Sequence, residues 1–129
     1  MHHFAYRNGV LHAEAVNLIE LADAVGTPFY CYSTATIERH YNVLAQAFRG
    51  QDASICFAVK ANSNPEIVKT LYKAGASFDV ASLPEFMLVY ENIKGLPAKV
   101  RQDFIWDKII YANPTKPKET LQALDKYKP

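Results

Sequence analysis

In the segment Phe57-Ala58-Val59-Lys60-Ala61-Asn62-Ser63-Asn64-Pro65 an apolar run stops at a lysine, and a polar turn follows at once. Read as a buried parallel strand, the run delivers Lys60 to its C-terminal edge, where the active sites of α/β folds gather. A lysine held partly out of water has its ammonium form disfavoured, and the neutral amine it then offers can attack a carbonyl carbon. Lys60 thus stands where a Schiff-base lysine would stand. The same position suits a surface lysine whose stem lies along apolar neighbours while its head stays in water, and the residues alone leave both readings open.

Other chemistry is thinly represented. There is no Gly-x-Gly-x-x-Gly, no Walker loop, no Gly-x-Ser-x-Gly and no His-Glu-x-x-His. The histidines at 2, 3, 12 and 40 are scattered, which predicts ordinary surface roles and no metal site. Cys31 and Cys56 form no Cys-x-x-Cys pair and read as two half-buried thiols in a reducing cytoplasm. Fourteen Lys+Arg against thirteen Asp+Glu give a formal net charge of +1, too little to hold a polyanion, so nucleic acid is not an expected partner. The longest clean apolar runs, Pro28–Tyr32 and Ile55–Val59, fall far short of the roughly 20 residues that cross a bilayer. The opening Met1-His2-His3-Phe4-Ala5-Tyr6-Arg7-Asn8 lacks the charged-then-apolar layout of a secretory signal, and the expected location is the cytoplasm.

The elements that must position Lys60 follow from the pattern around it. Tyr6-Arg7 and Val10-Leu11 flank Asn8-Gly9, a dipeptide that tolerates the positive φ of a type I′ turn, so residues 1–12 read as a hairpin. Leu18, Leu21, Ala22 and Val25 then fall at helical spacing within Ala15–Val25, and Gly26 and Pro28 stop that helix.

Residues 13–129 settle into short apolar runs alternating with amphipathic segments. Four such units can be read. Phe29–Tyr32 leads to a helix begun by Ser33 or Thr34, with Ile37, Tyr41, Leu44 and Phe48 on one face and Gly50 closing it. Ile55–Val59 leads to a helix with Asn64 as N-cap, Pro65 in its first turn, Ile67, Val68 and Leu71 inward and Gly75 as stop. Phe78–Ala81 leads to a helix from about Pro84 through Met87, Leu88 and Tyr90 to Gly95, and Ile109–Ala112 leads past Asn113-Pro114 to a helix near Pro117 carrying Leu121 and Leu124. Leu96–Lys108 exceeds the usual connection of about 2–6 residues and has room for a helical turn of its own.

Strands apolar on both faces and separated by helices imply parallel pairing, hence an α/β fold. Two architectures fit, an open doubly wound sheet or part of a (β/α)₈ barrel, whose eight strands typically take about 250 residues. On the second reading the sequence stops where a further strand is due, and the barrel is interrupted halfway.

A resemblance carried by the motifs and their order bears on that choice. Phe-Ala-x-Lys-Ala-Asn, followed by Ile67-Val68, Leu71 and Gly75, resembles the pyridoxal-phosphate attachment signature of the ornithine/diaminopimelate/arginine decarboxylase family. Phe78-Asp79-Val80-Ala81-Ser82 with Glu85, and then Ile109-Ile110-Tyr111-Ala112-Asn113-Pro114-Thr115-Lys116, resemble that family's next two strands, in the expected order and over nearly the whole chain. Alanine racemases share the fold but usually follow their lysine with Ala-Asn-Ala-Tyr-Gly. Up to about Ser63, including Val25–Tyr32, the chain looks like a diaminopimelate decarboxylase; from Asn64 onward, including Phe104-Ile105-Trp106-Asp107-Lys108, it looks like the ornithine- or lysine-type enzymes.

The resemblance implies a partial (β/α)₈ barrel of about four βα units preceded by a hairpin and helix, with pyridoxal 5′-phosphate as cofactor bound to Lys60. It implies decarboxylation of diaminopimelate, ornithine or lysine, in lysine or polyamine biosynthesis. Asp79, near the end of the neighbouring strand, reads equally as a carboxylate close to Lys60 that helps set its protonation and as an ordinary loop carboxylate. Family members carry later in sequence a histidine on the cofactor ring, a Gly-rich phosphate loop, an acidic partner for the ring nitrogen and a C-terminal β domain. None of these is in this sequence, and the expected cofactor affinity is correspondingly weak. Unpaired strand edges imply self-association, a homodimer included. The alternatives are a non-catalytic interaction module of the family and a racemase-type barrel that shares Lys60 without the decarboxylation.

Overall fold

The computed structural model describes residues 3–127, so the surface role expected of His2 lies outside the described residues. Strands β1 (Phe4–Arg7), β2 (Val10–Ala13) and β3 (Val16–Asn17) form an antiparallel meander in the order β1-β2-β3. Asn8 and Gly9 both take positive φ, 50° and 79°, as the type I′ turn requires. The sequence pattern missed β3, because its two residues run straight into the helical spacing of α1 (Leu18–Val25). Asn17 ends the strand and caps the helix, its Oδ1 accepting from the backbone N–H groups of Ile19 and Glu20 at 2.9 and 3.3 Å.

Phe29–Tyr32, expected as a strand, is not one. The segment keeps a strand-like alternation, with Phe29 and Cys31 half-buried and Tyr30 91% exposed, yet no neighbouring strand pairs with it. An apolar run reports a preference for extended backbone; a ladder also needs a partner. The helix of that unit forms as expected, α2 (Thr34–Ala47) capped by Ser33. Cys31 and Cys56 are free, half-buried thiols.

The second sheet is parallel, with β4 (Cys56–Ala58), β5 (Ser77–Val80) and β6 (Ile109–Tyr111) in the order β4-β5-β6. Among the described residues the parallel sheet therefore has three strands where four were read. Sequential order without reversal is what a barrel wall shows; a doubly wound sheet reverses order at its switch point. Helices α3 (Pro65–Ala74), α4 (Leu83–Tyr90), α5 (Ala98–Lys108) and α6 (Lys118–Asp125) follow the strands. The long connection before β6 thus holds an eleven-residue helix rather than one turn.

The core lies between the sheet and these helices. Phe78 and Val80 of β5 are fully buried against Val59, Val68 and Val89, with Ile67, Leu71 and Phe86 around them. Side chains alternate along a strand, so Cys56, Ala58, Ser77, Asp79 and Ile110 share the opposite face. That is the face from which a barrel's interior is built. The hairpin joins this body through Glu14, whose Oε1 accepts from the Ser33 hydroxyl at 2.7 Å and the Ala35 N–H at 3.2 Å.

Candidate active site

Beyond Ala58 the chain makes a single 3-10 turn, Val59–Ala61, closed by the Asn62 N–H donating to the Val59 carbonyl at 3.1 Å. Val59 is fully buried and anchors the turn, while the next residue, Lys60, is exposed at the C-terminal rim of the sheet. Two asparagines stitch the turn to α3. Asn62 Oδ1 accepts from the Asn64 N–H at 3.1 Å, and Asn64 Oδ1 accepts from the Glu66 N–H at 2.9 Å, with Pro65 opening the helix. The geometry expected of Lys60, a lysine at a strand's C-terminal edge, is thus present; the desolvation expected with it is not supplied by the described residues.

The facing wall comes from the turn between β5 and α4. Ser82 caps α4, its Oγ accepting from the Glu85 N–H at 3.4 Å, and Glu85 Oε2 accepts from the Ala81 N–H at 2.6 Å. From the third strand's rim, Asn113 Nδ2 donates to the Ala81 carbonyl at 3.1 Å, and Asn113 Oδ1 accepts from the Thr115 N–H at 3.0 Å. Lys60, Ser63, Ser82, Pro84, Glu85 and Leu88 line an open groove of about 480 Å³, within the roughly 300–1,000 Å³ typical of small-molecule sites.

Asp79 lies one strand over, level with Ala58 in the parallel register, half-buried on the sheet face away from the helices. It does not line the Lys60 groove and forms no ion pair with Lys60. The residues of the groove that sequence reasoning did not single out for the site are Ser63, Ser82, Pro84, Glu85 and Leu88. The Ser82-x-x-Glu85 spacing is a helix-start signature that would have placed two of them. Among the described residues no cluster of His, Cys, Asp and Glu is placed to hold a metal ion, and no helix is long and apolar enough to cross a membrane.

The Lys60 amine on one wall and the Glu85 carboxylate with the Ser82 hydroxyl on the other are a set of groups that fits an aldehyde cofactor. Residues 34–128 match the family model described as pyridoxal-dependent decarboxylase, pyridoxal binding domain. The chain belongs to the pyridoxal-dependent decarboxylase family. It is 45% identical over 97 residues to the diaminopimelate decarboxylase of Pseudomonas aeruginosa, covering 75% of this chain and 23% of that protein. With the diaminopimelate decarboxylase of Aquifex aeolicus it shares 40% over 121 residues, 93% of this chain and 26% of the relative.

Solved structures agree on the fold. Diaminopimelate decarboxylase from M. jannaschii, in complex with L-lysine, superposes with a TM-score of 0.81 at 26% identity, covering 98% of this chain and 28% of that one. Lysine decarboxylase from Selenomonas ruminantium superposes with a TM-score of 0.67 at 32% identity, covering 85% and 27%. The expected α/β fold, a partial barrel wall after a hairpin and helix, is therefore what the chain adopts. The chain spans about a quarter of the length of the curated relatives it matches.

Proposed function

We propose that this chain holds pyridoxal 5′-phosphate through Lys60 and serves the decarboxylation of a basic or diamino acid, diaminopimelate or else ornithine or lysine. The observation that carries the reading is the placement of Lys60, on a buried anchor at the rim of a parallel strand, across a groove from Glu85 and Ser82. When bound, the cofactor supplies an electron sink for the pair left on an amino acid's α-carbon as carbon dioxide departs. Lys60 Nζ would hold the cofactor at its aldehyde and, once released from it, would carry a proton. Glu85 sets a negative charge on the opposite wall, which favours substrates bearing a second amino group. Asp79 supplies a second carboxylate from the neighbouring strand, on the face that becomes a barrel's interior.

The test is direct. Pyridoxal phosphate is added to the wild-type chain and to Lys60→Ala, the adducts are reduced with borohydride, and the modified lysines are mapped by mass spectrometry. Labelling confined to Lys60 in the wild type and lost in the variant is expected. Labelling spread over surface lysines and unchanged in Lys60→Ala overturns the reading. Carbon dioxide release from diaminopimelate, ornithine and lysine then separates decarboxylation from a racemase-type role.

A second reading is supported by the sheet itself. Among the described residues the outer edges of β4 and β6 have no partner strand, and Ile110 is 53% exposed. These features favour self-association, as a homodimer or with related chains, and a role as an interaction module of the family.

A further inference from the structure

Ala81 is the first residue after β5, and both of its backbone polar groups are held by side chains rather than by a ladder. Its N–H donates to Glu85 Oε2 at 2.6 Å, and its carbonyl accepts from Asn113 Nδ2 at 3.1 Å. The two clamping residues come from different places, Glu85 from the first turn of α4 and Asn113 from the rim of β6, 32 positions further on. Asn113 is itself fixed. Its Oδ1 accepts from the Thr115 N–H, and its carbonyl accepts from Lys116 Nζ at 2.6 Å, with that ammonium 5.5 Å from the Tyr111 ring centroid. The ladder runs up to this point, since the Ala112 N–H donates to the Val80 carbonyl at 3.1 Å. The Asn113 side chain therefore extends the β5–β6 pairing by one more bond, past the end of the strands and onto the wall of the Lys60 groove.

We propose that Asn113 is a positioning residue for the Lys60 site: by holding the Ala81 carbonyl while Glu85 holds the Ala81 amide, it fixes Glu85 and Ser82 on the wall that faces Lys60. This rests on the reading of Lys60 as the cofactor attachment site and adds to it a determinant that lies outside the groove. An orphaned amide or carbonyl at a rim loosens the turn that carries it, because the group then seeks water. A loosened Ala81–Ser82 turn displaces Glu85 and Ser82 together, since Ser82 is also the cap of α4. Small misplacements of such groups have large effects on reactions that depend on orientation.

Asn113→Asp keeps the side chain's shape and its acceptor toward Thr115 but removes the donor to Ala81. Two readouts separate positioning from general destabilisation. By amide hydrogen exchange without cofactor, N113D is expected to lower the protection of the Ala81 N–H at least tenfold while leaving Phe78 and Val80 of β5 unchanged. By borohydride trapping with pyridoxal phosphate, the ratio of modified Lys60 to modified Lys69 is expected to be high in the wild type and to fall about tenfold in N113D. Asn113→Gln, which keeps an amide donor, is expected to retain more of that ratio. Should N113D cost the β5 amides their protection, Asn113→Ser, shorter by most of the amide, carries the same comparison.

An unchanged Ala81 exchange rate overturns the clamp. A high wild-type ratio that survives loss of Ala81 protection overturns positioning and leaves the attachment site standing. A wild-type ratio near one overturns the attachment site and the positioning role with it.

Discussion

Glu14 sits in the left-handed region, φ 56°, and from there its carboxylate reaches the start of α2. The Ser33 hydroxyl, then the Ala35 N–H, and the charge of nearby His3 hold its carboxyl below the ordinary glutamate value of 4.5. A carboxyl whose folded-state pKa is lowered contributes stability that is present above its unfolded value and is lost as pH falls through the folded one. Glu14→Gln is therefore expected to flatten the acid limb. The urea midpoint should fall less between pH 7 and pH 3 in E14Q than in the wild type, and parallel falls would count against the clamp. Ser33 does two jobs, donating to Glu14 and accepting from the Thr36 N–H at 3.0 Å as the cap of α2. Ser33→Ala should cost about 1 kcal/mol, measured by the same denaturation. At this scale the sequence was readable where the information is local: Lys60 is at the edge expected of it, and Asn64, Pro65 and Gly75 bound α3 as expected. Asn113 was not readable as a site residue, because its partner is fixed only once β5 and β6 pair.

Elements differ in how much of their cause they carry. α3 carries nearly all of it, with a side-chain cap, a proline at its start, an inward face of Ile67, Val68 and Leu71, and Gly75 in the left-handed region at φ 94°. A Cβ at Gly75 would meet nothing nearer than the Tyr41 hydroxyl at 3.9 Å, so space is not the obstacle. Gly75→Ala should cost about 1–2 kcal/mol from backbone strain alone. Phe78→Ala removes the largest fully buried side chain of the core and should cost about 3–5 kcal/mol. Denaturation midpoints should rank wild type above G75A and G75A well above F78A; a G75A protein as damaged as F78A would show that the turn, not the core, limits stability. Phe29–Tyr32 and α5 carry less of their cause. The first has the composition of a strand without a partner to pair with, and the second spreads Val100, Phe104, Ile105 and Trp106 around its surface with no single apolar stripe. In both, tertiary surroundings decide what local preference leaves open.

At the scale of the whole molecule, the parallel sheet has one face buried and one face only partly covered. Helices cover Phe78 and Val80, while Ile110, level with Asp79 on the adjacent strand and two strands from Ala58, remains 53% exposed on the other side. An apolar side chain on an uncovered parallel sheet is a site for association, because parallel sheets are normally buried on both faces and unpaired edges accept further strands. With a formal net charge of +1, electrostatic repulsion between copies is slight. Sedimentation velocity at tens of micromolar should therefore show species heavier than the 14.5 kDa chain. Ile110→Lys places a charge on the open face without touching the helix-side core, and should shift the distribution toward the monomer with an unchanged circular dichroism spectrum. The same variant bears on the Lys60 site. If association completes the environment of the groove, Lys60 trapping should weaken on dilution in the wild type and be low at every concentration in I110K. If a single chain suffices, trapping should be equal in both and independent of concentration. A wild-type chain that sediments as a strict monomer would remove the interaction-module reading and leave Lys60 to be judged on one copy alone.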